Sequence, residues 1–179
     1  MAHDTHHHHK ESFFTKYIFS QDHKMIGKQY LLTAIFMGAI GITLSALFRM
    51  KLGWPDTQFS ILESILGSDA APDGMLDSNW YLGLVTLHGT IMVFFVLTGG
   101  LSGTFSNLLI PLQVGARDMA SGLMNMIAYW LFFLSSVLMA ASLFIETGPA
   151  MAGWTVYPPL SVLEEFQPGS GLGMTLWLL

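Results

Sequence analysis

The sequence predicts an all-α fold, a polytopic bundle of transmembrane helices. Of 179 residues, 52% are hydrophobic and only 11% charged, where an ordinary soluble domain carries roughly one quarter charged residues. The charges crowd into the ends and the connecting loops. Three apolar stretches each reach the roughly 20 residues that a helix needs to cross a bilayer. A nucleic-acid partner is excluded, because the seven Lys and Arg form no basic stripe. The absence of cysteine excludes disulfides, thiolate metal sites and iron–sulfur clusters.

Residues 1–26 read as a charged, His-rich tail without the short apolar core of a cleavable signal peptide. Within it, His6–His9 read as solvated tail, with metal capture by a flexible tract as the alternative. The first span is expected over 27–50, the second over 79–112 and the third over 118–146. A fourth begins near 173, where GMTLWLL follows Gly171. The second is longer than a bilayer core requires, so it should tilt or protrude. Its Gly99, Gly100 and Gly103 permit close approach of a neighbouring helix, and Pro111 is expected to end it. With an interrupted fourth span, 27–179 reads as the front portion of a larger bundle.

Basic residues in short flanks set orientation. Lys10, Lys16, Lys24 and Lys28 precede span one, and Arg117 lies between spans two and three. The N-terminus and the 113–118 turn are therefore expected on the cytoplasmic side. The acidic loop of 51–79, with Asp56, Glu63, Asp69, Asp73 and Asp77, is expected outside with 146–173.

Two constellations could carry chemistry. No Asp, Glu, Lys or Arg occurs from Ser78 to Ala116, yet His88 stands within that stretch. An ionisable group in hydrocarbon usually faces a partner, a cavity or a cofactor, and neutral imidazole is a common ligand of haem iron and other transition metals. At 3.6 residues per turn, Tyr81, His88 and Met92 share a face. Arg49 ends span one near the same depth. That set suits a flat amphiphilic cofactor; a histidine bonded to neighbouring backbone and a snorkelling arginine are the alternative. At the other end, Asp118 opens span three, Asn125 lies seven residues on, and Asn107 faces them from span two. They could order a file of waters for proton entry. Equally, Asp118 could be an N-cap and the amides interhelical hydrogen bonds.

The strings FSQDHKMIG, LSALFRMKLGWP, TLHGTIMVFF, SNLLIPLQVGARDMA, MNMIAYW and GWTVYPPL appear in that order. Together they resemble subunit I of the haem–copper respiratory oxidases, most closely the cytochrome c oxidase branch. The resemblance runs from about Phe19 onward, apart from 53–78. It implies that His88 is an axial ligand of a low-spin haem, of haem a type, with the second axial histidine on a later helix. Arg49 then matches an arginine on a haem substituent, Met92 a haem-packing position, and Tyr81 and Trp154 residues bonding the haem propionates. Asp118 matches the mouth of the D-channel for proton uptake, Asn107 and Asn125 its water-ordering asparagines, and Tyr30 a tyrosine near that path.

The resemblance further implies a second haem and copper in the complete subunit and a copper-bearing electron-entry partner subunit. Cytochrome c or another respiratory complex is the implied donor, and a bacterial inner membrane the setting. Lys51 departs from the family, where a glutamate often helps hold a structural cation; here the lysine's own charge is expected to replace the metal. Leu123 and Met126 depart near Asn125 without touching the water-ordering positions. The polar quinone-binding positions of the quinol oxidases correspond to Ile40, Leu44, Trp80 and Gly83, which argues for cytochrome c as donor. A proton transporter without haem is the alternative of a different class.

Overall fold

The computed structural model describes residues 12–145, 147–163, 165–166 and 171–179; the His6–His9 tract lies outside them. Every regular element among the described residues is helical. Helix α1, His23–Gly53, is capped by the Asp22 carboxylate, which accepts from the Met25 amide at 3.2 Å. Its last turn carries Lys51, favourably placed at the negative pole of the helix dipole. A short helix α2, Ser60–Leu66, follows in the acidic loop.

The second span is one rod of 37 residues, Ser78–Val114. It comprises α3 (Ser78–Thr90), a π-helical middle (Ile91–Leu101) and α4 (Ser102–Val114). Asp77 caps it, accepting from the amides of Asn79 at 2.8 Å and Trp80 at 3.3 Å. Pro111 does not end it. Proline lacks an N–H and its ring crowds the carbonyl four residues back, so the Asn107 carbonyl loses its partner, yet the helix runs on for one more turn. Gly115, at φ 69° in the left-handed region, provides the stop.

Helix α5, Gly122–Ala141, continues through a 3-10 turn to Phe144. Its cap is Ser121, whose hydroxyl accepts from the Met124 amide at 3.4 Å, so Asp118 stands outside the helix. The final helix α6, Leu172–Leu178, starts at the position expected for a fourth span. The three long helices make this a multi-pass membrane protein.

Helix α1 is the hub of the bundle, packed along the whole rod and against α5. The glycines of the rod set that spacing. Gly100 sits on Ala34 and Gly99 on the Phe132 ring; a Cβ on Gly103 would stand 2.6 Å from the Tyr30 ring. The long acidic loop is part of the core. Leu62, Ala71 and Leu76 are buried in one cluster with Met37, Leu84, Leu87 and Ile91. The Phe59 amide donates to the Gly74 carbonyl and the Asp77 amide to the Ala70 carbonyl, each at 2.9 Å. The loop thereby folds over the end of α1 and α3.

Candidate functional site: an anchored imidazole and a carboxylate at opposite ends

His88 lies half-buried on α3, facing α1. Its Nδ1 is 2.8 Å from the Gly41 carbonyl oxygen and donates to it in the tautomer that bond requires. Among the described residues, Nε2 has no hydrogen-bond partner. This is the arrangement of a metal-ligating histidine, in which one ring nitrogen is fixed by a carbonyl and the other stays basic and free. Gly41 is what permits it. A side chain there would press on Met92, since a Cβ would fall 2.8 Å from Sδ.

The face predicted from spacing is real. Tyr81 and His88 both meet the edge of Phe48, with ring centroids 6.0 and 5.6 Å apart, and Met92 packs at Gly41. Arg49 follows Phe48 on α1 and is exposed; no carboxylate pairs with it among the described residues. Trp154 comes to the same helix on another flank. Its indole packs on Gly89 and donates to the Thr90 hydroxyl at 3.1 Å. The Trp177 indole donates to the same oxygen at 3.0 Å. Thr90 in turn donates to the Thr86 carbonyl.

Such a set fits a haem. The donor is a neutral imidazole with a free nitrogen, and its neighbours are a thioether, an aromatic edge and aliphatic side chains. Gly41, Phe48 and Thr90 escaped the sequence reading. A glycine's carbonyl leaves no mark in a one-dimensional pattern, and Thr90 reads as a helical residue like any other.

At the opposite end Asp118 is exposed, with its Oδ1 2.8 Å from Nδ1 of His23 and 2.7 Å from its neighbour's amide at Met119. The His23 amide also approaches, at 3.4 Å. Burial raises the carboxyl's pKa, but the Met119 amide and then the His23 ring and amide bonds outweigh it and hold it below its ordinary value. His23 itself is buried, 2% exposed, at the first position of α1. Its pairing spans 95 residues of sequence, which is why sequence alone did not suggest it.

Asn107 and Asn125 are brought together. Asn125 Nδ2 donates to Asn107 Oδ1, and Asn107 Nδ2 donates to the Gly103 carbonyl at 2.7 Å. Each amide retains further capacity for water, since an amide has two donors and two acceptor lone pairs. Tyr30 stacks on Gly103 one turn away and meets the edge of Tyr129 at 5.2 Å.

Residues 25–179 match the family model for cytochrome c and quinol oxidase polypeptide I. The chain is 43% identical over 170 residues, 95% of its length, to an alternative cytochrome c oxidase subunit 1 of Bradyrhizobium diazoefficiens. It is 35% identical over 89% of its length to cytochrome c oxidase subunit 1 of Cereibacter sphaeroides. A probable quinol oxidase subunit 1 of Staphylococcus haemolyticus is 37% identical over 91% of the chain. The chain covers 26%, 31% and 22% of these relatives respectively. With the match covering nearly all of the sequence, the chain belongs to the cytochrome c and quinol oxidase polypeptide I family.

Proposed function

We propose that this chain forms the electron-entry and proton-entry part of subunit I of a terminal oxidase that reduces oxygen to water and pumps protons. The observation that carries the reading is the anchored imidazole of His88, with Nδ1 on the Gly41 carbonyl and Nε2 free. A low-spin haem, of type a, would be held by His88, with Met92 packing it, Arg49 at a ring substituent and Tyr81 toward its propionates; Trp154, expected beside Tyr81 from the resemblance, gives its single N–H to Thr90 on another flank and is left out of that set. When bound, it supplies one-electron transfer. The Gly41 bond fixes which imidazole nitrogen is basic and prevents ring rotation. Arg49 adds a fixed positive charge that favours the reduced state of a neighbouring acceptor. The second axial histidine, a second haem and copper belong to the complete subunit.

Asp118 takes protons from the cytoplasmic side, and the Asn107–Asn125 pair orders water behind it, with Tyr30 alongside. The donor is cytochrome c, delivered through a copper-bearing subunit, in a bacterial inner membrane with the N-terminus cytoplasmic. Ile40, Leu44, Trp80 and Gly83 support that choice over quinol, since none offers a charged or imidazole partner to a quinone head.

The test is a reduced-minus-oxidised visible spectrum of the purified oxidase and of His88→Ala. The low-spin band should vanish in the variant while the rest of the chain still folds and inserts. An unaltered band removes His88 from the role, and a wild-type protein without haem bands makes this a transporter.

A further inference from the structure

At the Lys28 end of the bundle the chain doubles back along α1 before entering it. From Lys28 to Arg49 the helix rises about 32 Å at 1.5 Å per residue, close to the roughly 30 Å of a hydrocarbon core. No Asp, Glu, Lys or Arg lies between these two exposed cations, so they mark the edges of the apolar layer. The segment ahead of α1 is held at the Lys28 edge. Gln29 Nε2 donates to the carbonyls of Tyr17 at 2.7 Å and Ile18 at 3.0 Å, and the Trp130 indole of α5 donates to Ile18 at 3.3 Å.

Those bonds do for the segment what water does for an ordinary loop. Phe14–Ile18 is a π-helical turn, and the last carbonyls of any helical turn lack partners within it; side chains of α1 and α5 supply them. The Lys16 amide donates to the Ser12 carbonyl at 2.9 Å and the Phe19 amide to the Phe14 carbonyl at 2.8 Å. Irregular backbone beside hydrocarbon is tolerated when it is satisfied internally in this way. The side chains are turned outward: Phe13, Phe14, Tyr17 and Phe19 are 42–64% exposed. Aromatic rings of this kind gather where acyl chains meet headgroups.

Charge selects the lipid. Lys16, Lys24 and Lys28 are exposed at this edge or just outside it, and among the described residues none of them pairs with a carboxylate. The nearby acids are already engaged, Asp22 as the cap on the Met25 amide and Asp118 on His23. Lys16 Nζ stands over the Tyr17 ring, 5.3 Å from its centroid, and the side chain borders a hollow of about 400 Å³ with Thr15, Ser20 and Gln21. A lysine ammonium binds phosphate as a point charge. A protein covering this patch would strip water from three unpaired ammoniums, whereas a headgroup layer leaves them wet.

We infer that residues 13–19 form a membrane-surface contact, with their rings in the acyl boundary of the leaflet at this end and Lys16, Lys24 and Lys28 on the phosphates of anionic phospholipid. The inference needs only the membrane-spanning fold and not the haem or proton readings.

The chain has no cysteine, so Ser12→Cys places a single nitroxide on it at the edge of the segment. The complete oxidase is reconstituted in phosphatidylcholine vesicles with or without phosphatidylglycerol, the unsubstituted enzyme serving as blank. Power saturation then compares relaxation by oxygen with relaxation by a water-soluble nickel chelate. Oxygen should relax the label in preference to nickel, and phosphatidylglycerol should raise the ratio of immersed to free label. Lys16→Gln should weaken that rise about fivefold, the equivalent of about 1 kcal/mol for one lysine at an anionic surface, and high salt should do the same. Phe13→Ser combined with Phe14→Ser should release the label to nickel. Elution of each variant as the assembled oxidase shows that it folds. A label open to nickel in the parent enzyme, one shielded from both agents by a neighbouring subunit, or immersion indifferent to phosphatidylglycerol and to Lys16→Gln would each overturn the assignment.

Discussion

Gly41→Ala probes the imidazole anchor most directly. A Cβ at Gly41 would lie 2.8 Å from Met92 Sδ and 3.3 Å from Ile91 Cγ2, against the roughly 3.5–4.0 Å at which nonbonded heavy atoms rest. Either Met92 swings aside or α1 and the rod part by about 1 Å. Overpacking of this kind costs about 1–3 kcal/mol, and alanine's better helix propensity offsets about 1 kcal/mol of it. The fold should therefore survive, weakened by about 1 kcal/mol.

The effect on His88 is larger. Its 2.8 Å bond to Gly41, stretched by that amount, passes the roughly 3.2 Å limit of a useful hydrogen bond. Losing the carbonyl lowers the basicity of Nε2 and frees the ring; second-shell losses of this type cost about 10–100-fold in metal affinity. If the oxidised state bears most of that loss, the low-spin midpoint potential should rise by up to about 60 mV per tenfold. A spectroelectrochemical titration of the purified oxidase measures this. Met92→Ala in the same background removes the clash and should bring the potential back, a coupling that separate effects would not give. A Gly41→Ala enzyme with normal band and midpoint, in which Met92 keeps its place and the helices have parted, would refute the anchor.

Three further outcomes are expected. Because the Asp118 carboxyl sits below its ordinary value, its ionised form stabilises the fold above the ordinary carboxylate pKa of about 4, and that contribution is lost as pH falls through the lowered value. A thermal-melt series across that window should flatten in Asp118→Asn, which should also slow proton uptake in the pump assay; an unchanged slope would dissolve the His23–Asp118 tie. Lys51→Glu should make stability depend on added calcium, whereas wild type should be indifferent to it, checked by melting with and without chelator. Asp77→Ala removes the cap of α3 and should cost about 1 kcal/mol, read as a lower unfolding midpoint with an unaltered haem spectrum.

The bundle was legible because hydrophobic length and charge-free stretches are one-dimensional signals. The Tyr81–His88–Met92 face followed from helical spacing, and the Asn107–Asn125 contact from the short hairpin that joins their helices. Boundaries were harder. Pro111 looked like a stop because proline usually is one, yet it sits within the last turn, where one lost hydrogen bond is tolerated, and Gly115 supplies the turn. Asp118 looked like a cap because of its place before an apolar run, but Ser121 is one residue from the helix and takes that part. His23 and Gly41 lay beyond reach for a different reason. Each acts through a partner far along the chain, the one a carboxylate and the other an imidazole, and neither carries a local pattern. The acidic loop was likewise unreadable until its few apolar residues were seen to share the main core.

The Thr90 hydroxyl has room for two incoming donors, and both places are taken by indoles, from Trp154 and Trp177. The stretch after the third span and the opening of the fourth are thus tied to a single atom on the second, two residues from His88. Each indole uses its own lone pair, so either strap can be fastened without the other. Thr90→Val, which keeps the side chain's shape and removes its hydroxyl, would leave both indole N–H groups unpaired at once and loosen two segments beside His88 together.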